Sequence, residues 1–202
     1  MDYIFEIEDV LSKEFCEDVI SRFEKDERKV VGATVSGVDE NTKKSTDLAI
    51  SAVSLRSDWQ DVIDKVVKCV TDGIQTYQMY VNEEGLDRCF VITRSLNGST
   101  IGLPQIQKTQ KNDFYTWHHD GHLNRILTYI LYLNDVEESA GGTTDFLCGK
   151  KIQPKAGKLV IFPANIIYLH RGTKLKEGVK YLITNFIYQG PLIFSHPNTE
   201  EV

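Results

Sequence analysis

The spacing of apolar residues changes partway along the chain. Near the start, Tyr3, Phe5 and Ile7 alternate with Ile4 and Glu6, the period of a short strand. Ser12 suits an N-cap, and Phe15, Cys16, Val19, Ile20 and Phe23 form one stripe, so a helix is predicted from Lys13 to about Lys25. Lys29 to Val35 reads as a strand, and the polar stretch from Gly37 to Ser45 as a mobile loop. Ser57 with Gln60 three residues on makes a capping box for a second, longer helix. Its apolar positions, from Trp59, Val62 and Ile63 through Ile74, Tyr77 and Val81, keep a 3.6-residue period. Such a helix backs a sheet, and it is assigned no chemistry.

From Arg88 the pattern shortens. Cys89–Thr93, Gln105–Thr109, Leu127–Leu133, Lys158–Phe162 and Tyr181–Tyr188 read as strands. Turn signals separate them: Asn97-Gly98, Asn112-Asp113, Gly141-Gly142, Pro154 to Gly157, Gly172 and Gly178. Helices followed by many short strands predict an α+β fold whose second half is a sandwich or jelly roll. No internal repeat or linker is visible. A single domain is expected, with supporting elements over about 1–87, a β core over about 88–190 and a short tail at 191–202.

Composition narrows the class. A chain of 202 residues with 41% hydrophobic and 26% charged residues is ordinary for a soluble globular protein. The net charge of −6 argues against a surface that tracks nucleic-acid phosphates. Cys16, Cys69, Cys89 and Cys148 are scattered, with no C-x-x-C, which points to reduced thiols rather than a zinc ribbon or redox motif. No signal peptide and no apolar run of about 20 residues is seen, so a cytoplasmic protein is expected.

The candidate chemistry centres on His118-His119-Asp120. Residues two apart on a strand share a face, so His118 and Asp120 would project together. With His170 downstream they supply the two imidazoles and one carboxylate of a facial triad, which leaves one side of Fe(II) open. His119 should point the other way and is read as non-ligating. His122 is read as an exposed loop residue, and Arg125 as either a partner of a nearby acid or a contact for substrate. A His-x-Asp pair alone is a weak signal.

The ordered set of motifs is stronger. It comprises Tyr115-x-x-His118-x-Asp120, Arg125 to Asn134, Gly141-Gly142-Thr143-Thr144-x-Phe146, Pro154 to Phe162, His170-Arg-Gly172 and Gly178-Val-Lys180-Tyr181. In this arrangement the chain resembles the Fe(II)- and 2-oxoglutarate-dependent dioxygenases, in particular the prolyl-4-hydroxylase-like branch. Lys44-Ser45-Thr46-Asp47-Leu48 adds a less specific likeness. The resemblance implies a double-stranded β-helix core with the N-terminal helices packed on its major sheet. It implies His118, Asp120 and His170 as both iron ligands and catalytic residues. Lys180, ten positions after His170, would anchor the distal carboxylate of 2-oxoglutarate. Tyr132 would direct its phenol to the same carboxylate, Thr184 would line the pocket and Tyr115 would support the co-substrate.

The reaction implied couples decarboxylation of 2-oxoglutarate by O2 to hydroxylation of an unactivated C–H, with succinate and CO2 as co-products and ascorbate as an accessory reductant. A peptidyl prolyl residue is the expected substrate. A free amino acid or other small molecule is the alternative, and a non-catalytic metal-binding jelly roll is the competing class. Membrane partners are not expected, and nucleic acid is disfavoured by charge. The polar stretch from Val38 to Ser45 and the loop from Leu96 to Leu103 are expected to cover the mouth of the site. Four positions depart from the family pattern. They are Thr109, where an aromatic is common, Asn112-Asp113 in place of a glycine turn, Thr143 at an acidic position, and Phe186 where tryptophan is common. None removes a ligand.

Overall fold

Period-2 patterning in the second half of the chain builds two facing antiparallel sheets, with the helices on the outer side of the larger one. The computed structural model describes residues 2–52 and 54–190. In chain order the elements are β1 (Phe5–Ile7), α1 (Lys13–Lys25), β2 (Val30–Val31), β3 (Thr46–Leu48), α2 (Arg56–Glu83), α3 (Val91–Leu96), β4 (Thr100–Ile101) and β5 (Gln105–Thr109). They continue with β6 (Tyr115–His118), β7 (Arg125–Tyr132), β8 (Thr144–Phe146), β9 (Lys151–Ile152), β10 (Leu159–Pro163), β11 (His170–Gly172) and β12 (Lys180–Tyr188).

The major sheet has eight strands ordered β1-β10-β7-β12-β5-β3-β2, with β4 also on β12; the minor sheet runs β6-β11-β8-β9. This is the double-stranded β-helix expected from the sequence. Alternation along β7 explains the layering. Leu127, Tyr129 and Leu131 join Leu159, Ile161 and Ile183 in the core shared with α1 and α2. Ile130 and Tyr132 face the opposite way, with Val160, Phe162 and Leu182, and meet Phe146 and Ile152 of the minor sheet. Each fully buried Val, Leu or Ile contributes about 1.5–3 kcal/mol, so both cores favour this register. A one-residue slip would exchange the two faces.

Ser12 caps α1 by accepting from the Phe15 amide at 3.2 Å. Gly73 lets α2 lie close to the sheet; a Cβ there would fall 2.4 Å from Leu159 Cδ2. The expected capping box of Ser57 and Gln60 does not form. The helix starts at Arg56 after Leu55, Ser57 Oγ contacts Asp58, and Gln60 pairs with Asp64 and Arg56. The turn before it already occupies the first helical amides, with Arg56 N donating to Ala52 O at 2.9 Å.

Three other expectations are corrected. Cys89–Thr93 is not a strand: Arg88–Phe90 is a 3-10 turn and Val91 begins α3. Asp87 decides this by accepting from the amides of Ile92 and Thr93 and from the Thr93 hydroxyl. The Lys29–Val35 strand shrinks to Val30–Val31, an exposed edge. The polar loop is open from Ser36 to Asn41, but residues 42–44 pair with 114–116, and Lys43 is buried. The 191–202 tail, including His196, lies outside the described residues. All four cysteines are free, with Cys16 and Cys69 buried. Among the described residues no helix is long and apolar enough to cross a membrane.

Candidate active site

A cavity of about 380 Å³ opens between the two sheets. Its floor follows from strand parity. Thr128 and Ile130 on β7, Lys180, Leu182 and Thr184 on β12, and Gln107 on β5 all point into it. The minor sheet supplies the opposite wall with His118 and His170, which face each other across the β6–β11 pair.

His118, Asp120 and His170 converge there. One potential ligand atom from each lies within 4.8 Å of the others, and together they could hold a metal ion. His118 Nδ1 lies 2.8 Å from Thr116 O and His170 Nδ1 lies 3.0 Å from Tyr168 O. A carbonyl only accepts, so each Nδ1 carries a proton and each Nε2 is left to point inward. Those two Nε2 atoms lie 3.8 and 3.5 Å from the Asp120 carboxylate oxygens. Burial, then the neighbouring His170, push the His118 pKa down to about 4, so its imidazole is neutral at physiological pH. Tyr115 stacks on His118 with ring centroids 3.6 Å apart and fixes the ring plane. The donor set, two imidazoles and a carboxylate, fits Fe(II).

Lys180 is 3% exposed, and its Nζ donates to Gly142 O at 2.8 Å. Among the described residues no carboxylate lies within ion-pairing distance of it. Burial alone pushes its pKa down to about 8. A buried cation without a counter-charge, in the cavity that holds the triad, fits an anionic ligand. Gly142 can present its carbonyl because its φ is +71° and a Cβ would meet Leu175 Cδ1 at 2.7 Å.

The remaining expected residues differ in position. Tyr115 and Thr184 line the cavity, and Thr184 donates to Tyr129 O at 2.7 Å. Tyr132 is fully buried behind the wall, its phenol 2.7 Å from Thr144 Oγ1, and Thr144 lines the cavity. His119 sits on the exposed rim and accepts from the Gly121 amide through Nδ1, apart from the three-residue group. His122 is half-buried and also outside that group. Arg125 lies over the Phe186 ring, 3.7 Å from its centroid, at the cavity wall. The loop from Leu96 to Leu103 does not line the cavity. Its β4 segment is paired to the far end of β12, whereas Ala33, Thr34 and Val35 do line it.

Sequence reasoning assigned no role to three features. Thr128 donates to Asp120 Oδ2 at 2.7 Å. Thr144 joins Tyr132 to the cavity. Lys43 and Asp47 form a buried ion pair at 2.6 Å, which Ser45 and Gln105 extend. The signal for Thr128 was its parity: a hydroxyl on the inner face of an otherwise apolar strand.

Residues 104–188 match the sequence profile of the 2OG-Fe(II) oxygenase superfamily. No curated protein matches the chain by sequence. Solved structures share the fold. A viral collagen prolyl hydroxylase from Paramecium Bursaria Chlorella virus-1, bound to 2-oxoglutarate, is 22% identical, with a TM-score of 0.66 over 92% of this chain and 96% of that one. A Pseudomonas putida prolyl-4-hydroxylase is 14% identical, with a TM-score of 0.65 over 93% and 94%. A Trichoplax adhaerens prolyl hydroxylase, in complex with a hypoxia inducible factor oxygen degradation domain peptide fragment, is 14% identical, with a TM-score of 0.66 over 94% and 84%. The chain is prolyl hydroxylase-like in fold.

Proposed function

We propose that the chain is an Fe(II)- and 2-oxoglutarate-dependent dioxygenase that hydroxylates an unactivated C–H of a peptidyl prolyl residue, releasing succinate and CO2. The observation that carries this reading is the unpaired, buried Lys180 ammonium in the same cavity as His118, Asp120 and His170. A metal-binding jelly roll that bound no second ligand would have no use for such a cation, which is costly to bury.

His118, Asp120 and His170 would hold the iron through Nε2, a carboxylate oxygen and Nε2. When bound, Fe(II) with 2-oxoglutarate supplies the O2-dependent oxidation of a C–H bond. The protein's own part is positioning. The carbonyls of Thr116 and Tyr168 hold both imidazoles in one tautomer. Lys180 would take the distal carboxylate of 2-oxoglutarate in a charge-assisted hydrogen bond while keeping its contact with Gly142. Thr184 and Tyr115 border the space between these groups. Burial of Lys180 and His170 lowers the effective dielectric around them and so strengthens the electrostatic contacts they make. Ascorbate is proposed only as a reductant that maintains Fe(II).

The test is anaerobic reconstitution with Fe(II) and 2-oxoglutarate, followed by O2 with a panel of proline-containing peptides and free amino acids. Succinate together with a peptide carrying one added oxygen atom is the expected result. Oxygen appearing only in a free amino acid would overturn the prolyl assignment, and absence of succinate under every condition would overturn the class.

A further inference from the structure

Asp120 differs from the two histidines in how it is held. His118 ends β6 and His170 begins β11, so sheet pairing fixes both backbones. Asp120 lies two residues beyond β6, in a stretch without strand pairing that includes Leu123 in a left-handed conformation (φ 51°). The backbone there is touched by Arg125 Nη1, 3.5 Å from Asp120 O. That contact leaves the side-chain torsions of Asp120 undetermined.

We propose that Thr128 is the positioning residue that orients the Asp120 carboxylate for metal binding and presents Oδ1 as the coordinating oxygen. Thr128 is 2% exposed and sits on β7, paired with Phe162 of β10 on one side and Phe186 of β12 on the other. Its β-branched side chain has little rotamer freedom there. Its hydroxyl donates to Asp120 Oδ2 at 2.7 Å, a charge-assisted bond. That bond fixes the plane of the carboxylate: Oδ2, held by Thr128, lies 3.5 Å from His170 Nε2, and Oδ1, outside the Thr128 bond, is turned toward His118, 3.8 Å from Nε2. An inner strand of the major sheet thereby sets the geometry of a ligand carried on a loop that follows a strand of the minor sheet. Each of the three side chains then has a second contact: a carbonyl for each imidazole and a hydroxyl for the carboxylate.

The inference rests on the metal reading above, and the test separates the two. Co(II) is titrated into the metal-free full-length protein without 2-oxoglutarate, and affinity and the visible d–d spectrum are read for wild type, Thr128→Val, Thr128→Ser and Asp120→Ala, with far-UV circular dichroism as the folding control. The expected result is Co(II) binding by Thr128→Val weakened about 10- to 100-fold with a changed d–d envelope, with Thr128→Ser restoring both. Wild-type affinity and spectrum in Thr128→Val would overturn this inference alone. Equal loss in Thr128→Ser would also overturn it, because packing rather than the hydroxyl would then be responsible. A wild-type protein that takes up no Co(II) would overturn the metal reading and this inference with it.

Discussion

Lys180 Nζ rests 2.8 Å from the Gly142 carbonyl, and among the described residues that carbonyl is its hydrogen-bond partner. The ammonium is 3% exposed, and its pKa is lowered to about 8 from an ordinary 10.5 by burial. The protein thus carries an electrostatic cost in the ligand-free state that a bound dicarboxylate would remove. The stability–function conflict this creates can be measured.

Lys180→Met is expected to stabilise the ligand-free protein. A pKa lowered from 10.5 to about 8 corresponds to a cost on the order of 3 kcal/mol, less the lost bond to Gly142. The folded pKa lies below the unfolded one, so the unfolded chain binds more protons between pH 8 and 10.5. The cost is therefore fully present below about pH 8 and fades toward 10.5. Thermal unfolding at pH 7 should show a rise of at least about 2 °C, smaller at pH 10. A fall in melting temperature at pH 7 would show that Lys180 is already neutralised in the free protein.

2-Oxoglutarate affinity should weaken as pH rises above about 8, because the ammonium that would receive its carboxylate is lost there. In the Lys180→Met protein this pH dependence should be absent. Calorimetric titration from pH 7 to 9.5 with a redox-inert divalent metal in the site checks both points.

Tyr132 should matter much less. Its phenol reaches Thr144 rather than the cavity, and a neutral hydrogen bond is worth about 0.5–1.5 kcal/mol. Tyr132→Phe should therefore change 2-oxoglutarate affinity by roughly 2- to 10-fold, with Thr144→Val similar and the double variant no worse than either alone. A loss as large as that of Lys180→Met would place the phenol on the ligand itself.

The buried Lys43–Asp47 pair ties the 42–44 segment, and through it β6, to β3. Asp47→Ala leaves Lys43 without its partner and should cost about 3–5 kcal/mol. Lys43→Met with Asp47→Leu should recover part of that loss. Urea unfolding of the single and double variants measures the difference; equal stability of Asp47→Ala and wild type would remove the pair from the fold's support.

Much of this arrangement could be read from residue order. The 3.6-residue stripes of α1 and α2 and the alternation along β5, β7, β10 and β12 were visible because one face of each is buried against a large core. Strands of two or three residues such as β8, β9 and β11 carry too few positions to display a period. Cys89–Thr93 misled because a run of apolar and β-branched residues favours a strand, whereas the carboxylate of Asp87 caps a helix there. The triad residues stood out as chemically unusual types in a recurring order. Thr128 and the Lys43–Asp47 pair did not, because threonine is common in strands and a lysine in a polar loop is normally solvated. Only the tertiary contacts reveal their partners.

The central claim is that four side chains from β6 and the loop after it, β11 and β12 form one site for iron and 2-oxoglutarate. Anaerobic addition of 2-oxoglutarate to the Fe(II)-loaded protein, followed by visible charge-transfer absorbance, tests it most directly. One equivalent of each should produce the band in wild type, with no band in Asp120→Ala and a far higher 2-oxoglutarate requirement in Lys180→Met. A featureless wild-type spectrum, or a titration that Lys180→Met leaves unchanged, would contradict it.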